Sequence, residues 1–248
     1  MEIYDSEFYR DRHKKTRTSA KIILSIIQQI IPRLKSAVDV GCGVGTWLSV
    51  LKERGVEDIK GIDGCWVNKD YLVIERHCFM EHDLKEKIIL NKRYDLAISL
   101  EVAEHLSSEN AKLFVSSLTN LSDFVLFSAA IPGQIGVNHL NEQWLDYWIA
   151  FFREQGYVGL DVVRRKIWNN KSIPFPYRQN TLLFVKKEEV SNLKFQGESS
   201  VFNPISVVHP DFYLHKMDSM TIKQTFRLFV KAAKRRIIRE LKIRKRRI

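Results

Sequence analysis

The sequence predicts an α/β fold, a doubly wound and mostly parallel sheet with helices on both faces, on three observations. Short runs of strand-forming residues alternate along most of the chain with stretches whose apolar residues recur at three- and four-residue steps. The run Val38-Asp-Val-Gly-Cys-Gly-Val-Gly-Thr46 passes from a strand through three glycines into the helical pattern Trp47, Leu48, Val50, Leu51. Tyr94 to Leu100 is nearly continuous in apolar residues after Asp95, the composition of a parallel strand buried on both sides. With 248 residues and 45% hydrophobic content, the chain can hold one full α/β domain plus appendages.

Each element follows from local pattern. After a polar lead, Ile22, Ile23, Ile26, Ile27, Ile30 and Ile31 fall at helical spacing and stop at Pro32, so residues 1–32 read as a lead and a helix that caps one face of the sheet. A first strand spans residues 37–40, and the helix after the glycines runs to Arg54, before Gly55. A second strand, residues 58–63, is followed by a short helix near 70–74 and a strand near 77–80. The alternation then repeats as strand 94–100, helix 109–121 and strand 124–129. A loop with Pro132, Gly133 and Gly136 leads to a helix carrying Trp144, Tyr147, Trp148, Phe151 and Phe152, closed by Gly156. Strands at 158–163 and 181–185 finish the sheet. The aromatic stretch between them, with Trp168, Phe175 and Tyr177, reads as a substrate lid. Residues 188–220 read as an irregular wrapping linker and 221–248 as a tail.

The chemistry starts at the glycines. Gly41, Gly43 and Gly45 let the backbone take positive φ and let a ligand approach closely, as a floor for a nucleotide-like group. Asp63 lies twenty positions beyond Gly43 at the end of the second strand, where a carboxylate accepts both hydroxyls of a ribose. Asp39 would repel a pyrophosphate and attract a cation. The pattern is G-x-G-x-G, not the dinucleotide G-x-G-x-x-G.

These residues resemble the S-adenosylmethionine (SAM) loop of class I methyltransferases, and the likeness extends over about residues 33–187. It implies a Rossmann-like, doubly wound, seven-stranded sheet and SAM as cofactor. Asp39, Gly41, Gly43, Gly45 and Asp63 would hold the cofactor, with Trp66 against the adenine, the pair Asp83-Leu84 beside it, and Ser99 and Leu100 at the end of the fourth strand. In related enzymes a leading segment, here with Tyr9, Arg12 and Arg17, folds over the cofactor mouth. Ligands in such sheets bind beyond the carboxyl ends of the strands, so Glu101, Glu104, His105 and His139 converge there. The run Glu-x-x-Glu-His with a later His resembles the metal site of small-RNA 3′-terminal 2′-O-methyltransferases, which implies Mg²⁺ or Mn²⁺ on Glu101, Glu104, His105 and His139. The metal-free reading stands beside it, with His139 as general base and His105 and Glu104 in the catalytic set.

The chain is also similar to small methyltransferases associated with bacterial surface-polysaccharide (O-antigen) synthesis, in residues 36–47, 94–106, 139–148, 177–181 and 208–213. That implies a sugar hydroxyl as acceptor, on a polysaccharide or a lipid-linked glycan precursor, with Tyr177, Arg178 and Asn180 as sugar contacts. RNA ribose 2′-O-methylation and a non-catalytic SAM-binding scaffold or sensor are the alternatives.

Charge argues against RNA on the main domain. Residues 1–215 hold 27 Lys plus Arg against 27 Asp plus Glu, and residues 216–248 hold 13 against 2, so the whole excess of +11 sits at the end. From Thr221, apolar residues recur at helical steps with Lys and Arg between them, a basic amphipathic helix suited to an anionic membrane surface. An RNA-binding tail and a solvated or partner-bound helix are the competing readings. Three cysteines without a C-x-x-C pair, an acidic start without an apolar h-region, and no run approaching a membrane span point to a cytoplasmic protein, peripheral on the inner membrane face if the tail binds lipid.

Overall fold

The computed structural model describes residues 6–31, 33–134, 136–194 and 204–218, and residues 225, 226, 230 and 236 beyond them. The chain divides into two compact units, residues 1–209 and 210–248, where the sequence suggested boundaries after 187 and 220.

The first unit is a seven-stranded sheet between helices. Its elements are α1 (Ser6–Ile30), β1 (Ser36–Val40), α2 (Thr46–Glu53), β2 (Asp58–Asp63), β3 (Phe79–Glu81), β4 (Leu96–Leu100), α3 (Ala111–Leu121), β5 (Phe124–Ser128), α4 (Leu145–Glu154), β6 (Tyr157–Leu160), α5 (Arg164–Ile167), α6 (Phe175–Asn180) and β7 (Leu182–Lys186). The strand order is β3-β2-β1-β4-β5-β7-β6, parallel except that β7 runs against both β5 and β6. The doubly wound sheet expected from the alternation is therefore present. Its order reverses at β1, so β1 and β4 open a crevice at their carboxyl ends, the place where ligands enter such sheets.

Two apolar layers hold the sheet. One joins Ile23, Leu24 and Ile27 of α1 and Leu48 and Leu51 of α2 to Leu96 and Ile98 of β4. The other joins Phe114 and Leu118 of α3 and Trp148 and Phe152 of α4 to Val38 and Phe127. Every residue of β4 and β5 is buried, which is why neither shows an alternating pattern. The Phe152 ring stacks on Phe184 at 3.8 Å between centroids.

Several expectations need correction. The first helix begins at Ser6 rather than near the isoleucines, because its charged lead contains no helix breaker. The strand expected at 158–163 ends at Leu160: Asp161 turns to form two bonds with Arg164, at 2.9 and 2.6 Å. The aromatic lid is not a loop. It forms α5 and α6, and Ile173, Arg178, Gln179 and Asn180 are buried. Residues 204–209 belong to the first unit, where the Arg164 guanidinium donates twice to the Ile205 carbonyl at 3.2 Å and the His209 amide donates to Gln179 at 2.7 Å.

In the second unit, α7 (Pro210–Asp218) replaces the irregular stretch expected there. Pro210 stands at the helix start, where its missing N–H costs nothing, and His215 and Lys216 lie in the last turn, matching the helix dipole. Most of the basic tail, including the amphipathic pattern after Thr221, lies outside the described residues. Among the described residues no helix is long and apolar enough to cross a membrane.

Candidate active site

The glycine bend between β1 and α2 is built as its composition requires. Gly41, Gly43 and Gly45 have φ of 83°, 53° and 86°, which L side chains rarely adopt. At Gly41 there is also no room: a Cβ would stand 2.4 Å from Val102 Cγ2. Several of the bend's amides are turned to the protein itself. Gly41 and Cys42 donate to the Ile62 carbonyl at 2.7 and 3.2 Å, and Gly45 donates to the Cys42 carbonyl at 2.9 Å. Two carboxylates give the bend its character.

Asp63 accepts from the Gly43 amide at 2.7 Å with one oxygen and from the Gly64 amide at 2.7 Å with the other. It thereby fastens the end of β2 to the bend, and a carboxylate has about four acceptor positions in all. Asp39 is buried with one oxygen unpartnered, and burial, reinforced by the charge of Asp63, pushes its carboxyl well above the usual range. Two carboxyls beside a close-approach bend suit a ligand with hydroxyl and ammonium donors, which fits the ribose and the amino-acid end of S-adenosylmethionine. His13 of α1 meets Thr46 at the start of α2, 2.9 Å from Nδ1 to Oγ1, so the N-terminal helix reaches this corner. The side chains of Tyr9 and Arg12 lie outside the described ones; Arg17 pairs with Glu53 at 2.6 Å.

The remaining expected cofactor residues fall along the same rim. Trp66 is exposed and folds over Gly64, whose Cβ would stand 2.2 Å from the indole. The His82 amide donates to the Asp63 carbonyl at 2.9 Å, which brings the β3 exit to β2. Next to it Leu84 is buried and Asp83 is exposed, accepting from the Lys85 amide. Ser99 and Leu100 are buried at the end of β4.

Beyond β4 the chain turns at Glu101, whose φ of 56° is unusual for a side chain other than glycine. Glu104, His105 and His139 come together, with one ligating atom from each within 4.8 Å of the others, and the two imidazoles meet edge to face at 4.9 Å. Val102, against Gly41, ties this cluster to the glycine bend. Glu101, expected as a fourth ligand, is not in the cluster. Its carboxylate accepts from Gln134 at 2.6 Å and from Asn180 at 3.1 Å.

The expected sugar contacts are likewise engaged by the protein. Arg178 is buried and donates to the Trp168 carbonyl and to His209, both at 3.1 Å. Asn180 is buried against Glu101 and Gln134. Tyr177 sets its ring edge to face with Trp47 at 5.5 Å. A buried guanidinium satisfies carbonyls that a bent loop would otherwise leave unpaired.

Glu142 escaped notice in the sequence. Its carboxylate accepts from the Gly133 amide at 2.7 Å and holds His139 Nδ1 at 2.9 Å. The i,i+3 spacing of His139 and Glu142 was the available signal. A carboxylate on Nδ1 keeps the proton there and leaves Nε2 to accept. Nε2 lies over Gly136, where any Cβ would stand 2.0 Å away.

Glu104 is the most exceptional group. It is 1% exposed, and neither carboxylate oxygen has a hydrogen-bond partner, although the amides of Glu104 and Ala130 lean toward it. Burial first, then the nearby Glu101 charge, raise its carboxyl well above the usual range. A carboxyl whose folded value is raised binds its proton more tightly folded than unfolded. Its contribution is thus intact at low pH and is lost as pH rises from the ordinary carboxylate range toward the raised value. Glu104→Gln removes that loss. In EDTA the wild type should lose stability relative to E104Q by up to about 1.4 kcal/mol per pH unit across that window. Urea midpoints between pH 4 and 9 measure it, and parallel curves would contradict the burial of an uncompensated carboxyl.

Comparison with known proteins bears on the family and the fold. A family described as a methyltransferase domain matches residues 10–168. No curated protein matches the sequence. Among solved structures, the fold is similar to Streptomyces venezuelae DesVI, at 15% identity and a TM-score of 0.52 over 72% of this chain and 94% of that one. It is similar to a SAM-dependent methyltransferase from Archaeoglobus fulgidus, at 18% identity and a TM-score of 0.52 over 74% of this chain and all of that one. A third is an O-methyltransferase family protein from Burkholderia thailandensis, at 13% identity and a TM-score of 0.50 over 74% of this chain and 60% of that one. The matched segment spans more than half of the chain and contains the glycine bend, both carboxylates and the histidine cluster, so the protein belongs to the methyltransferase-domain family and is a SAM-dependent methyltransferase.

Proposed function

We propose that the enzyme methylates oxygen, and that its acceptor is a sugar hydroxyl of a surface polysaccharide or of a lipid-linked glycan precursor. The observation that carries the oxygen reading is the His139–Glu142 pair at the exit of β5. A hydroxyl is a poor nucleophile until it loses its proton, and a neutral imidazole near pH 7 can take it. SAM supplies an electrophilic methyl group on sulfur. The protein's own part is to seat the donor against Asp39, Asp63 and the bend, to align the acceptor, and to accept the hydroxyl proton at His139 Nε2 while Glu142 holds Nδ1. The sugar reading is supported by the resemblance of residues 36–47, 94–106, 139–148, 177–181 and 208–213 to polysaccharide-associated methyltransferases.

A second reading is RNA ribose 2′-O-methylation with a divalent cation. It is favoured by the approach of Glu104, His105 and His139 and by the unpartnered Glu104 carboxylate, which a cation would satisfy. In that case those three residues would hold the ion, and the ion would lower the pKa of the acceptor hydroxyl. The neutral charge balance of residues 1–215 weighs against a nucleic-acid footprint. The basic tail, at about 1 kcal/mol per cationic residue near an anionic surface, would bring the enzyme to the cytoplasmic face of a membrane.

One experiment separates these readings. Full-length protein is given labelled SAM with glycan extract in anionic vesicles, the same extract in neutral vesicles, or RNA, each with and without EDTA. The proposal expects label in the glycan, more with anionic vesicles, and persisting in EDTA. Label in RNA that EDTA abolishes would replace it with the metal reading, and no label anywhere would favour a SAM-binding scaffold.

A further inference from the structure

We propose that Glu101, Gln134 and Asn180 are positioning residues: a carboxylate and two amides that clasp the loop carrying His139. The functional weight of this clasp rests on His139 as the proton acceptor. Three separate segments meet here. Glu101 follows β4, Gln134 follows β5 and Asn180 precedes β7. Glu101 Oε2 accepts from Gln134 Nε2 at 2.6 Å, and Glu101 Oε1 accepts from Asn180 Nδ2 at 3.1 Å. Asn180 Nδ2 also donates to Gln134 Oε1 at 3.0 Å, which closes the ring.

The backbone is committed to the same end. The Glu101 amide donates to both the carbonyl and the hydroxyl of Ser128, each at 3.0 Å, and this holds the residue at positive φ. Strain of that kind persists only where surrounding contacts impose it, and it clusters at functional sites. The loop beyond β5 is then pinned at both ends. Gln134 fastens its beginning, and the amides of Leu140 and Asn141 donate to the Glu104 carbonyl at 2.8 and 3.0 Å. His139 lies between the two pins.

The donor sense of the clasp is fixed from outside. The His209 amide, which can only donate, bonds to Gln179 Oε1 at 2.7 Å, and Gln179 Nε2 donates to Asn180 Oδ1 at 3.0 Å. Asn180 must therefore present its nitrogen to Glu101, and none of these amides can turn over without opposing two donors. Only a group that accepts on both oxygens fits position 101. This explains a carboxylate there without any cation.

The chemistry provides a diagnostic exchange. Glu101→Gln opposes an N–H to a donor, whichever way its amide faces. Adding Gln134→Glu moves the carboxylate across the ring. The new amide nitrogen at position 101 can then donate to the carboxylate at position 134, its oxygen can accept from Asn180, and all three contacts return at unchanged net charge.

The measurements are amide hydrogen exchange of residues 136–144, and turnover with the extract described above; calorimetry with S-adenosylhomocysteine establishes that each variant is folded. E101Q should speed exchange about tenfold and lower kcat about tenfold with KM for SAM unchanged, the scale expected when a buried donor is left unsatisfied. E101Q/Q134E should return both to within about threefold of wild type. Should E101Q not fold, Gln134→Ala, at a half-buried site, should show the same faster exchange. Wild-type exchange in E101Q, or a double variant no better than E101Q, would overturn the clasp; a metal-ligand role for Glu101 gives the latter result. Rescued exchange alongside undiminished turnover in His139→Asn would keep the clasp and remove the histidine's assignment.

Discussion

Asp63→Ala should abolish measurable binding of SAM and of its demethylated product, with affinity falling by at least about 100-fold. Two losses combine. The ligand loses the carboxylate expected to take its ribose hydroxyls, worth about 1.5–3 kcal/mol per bond to a charged group. The bend loses the anchor that accepts from Gly43 and Gly64 at 2.7 Å each, so three glycines already at positive φ are released to a larger ensemble. Thermal unfolding should register the second loss as about 2–4 kcal/mol. Asp63→Asn, which retains one acceptor oxygen, should fall between. Calorimetry with S-adenosylhomocysteine reads the first effect, and an affinity within threefold of wild type would detach this residue from the donor and undo the placement of the whole site.

His139→Asn should reduce turnover by about 10²- to 10⁴-fold, the usual contribution of a positioned proton acceptor, and leave donor affinity intact. Asparagine preserves polarity and much of the volume but cannot take a proton. Glu142→Gln should follow in the same direction by a smaller factor, since it spares the imidazole and removes the charge that holds Nδ1. The pair of variants is informative together. If His139 served only as a cation ligand, E142Q would act chiefly through metal affinity, and excess Mn²⁺ would restore its rate. A base role predicts no such restoration.

How much of this was legible beforehand differs by element. The glycine bend, Asp63 and the buried fourth strand were readable because each depends on neighbours in sequence or on one fixed spacing within a βαβ unit. Gly41 needs positive φ wherever the strand turns, and Asp63 reaches Gly43 because β1 and β2 pair in parallel with their ends level. The helix at Pro210 is not legible in the sequence because a proline that breaks a helix interior is equally at home in a first turn. The stretch between β6 and β7 reads as a loop because Pro174 and Pro176 interrupt its pattern, while the structure forms α5 and α6 there and buries Ile173, Arg178, Gln179 and Asn180, with Trp168, Phe175 and Tyr177 half-buried.

The sequence by itself determined the fold class and marked the glycine bend with its carboxylate twenty residues on, since those follow from hydrophobic period, glycine placement and the βαβ spacing, and the resemblance of these residues to class I methyltransferases named the donor. Only the tertiary structure decided which polar groups face one another there. Glu101 and Glu104 stand three residues apart and looked equivalent, yet one is bound by amides from after β5 and before β7 and the other is buried without a partner. No spacing along the chain encodes that difference, because hydrogen-bond partners 33 and 79 residues away are chosen by the way strands stack side by side.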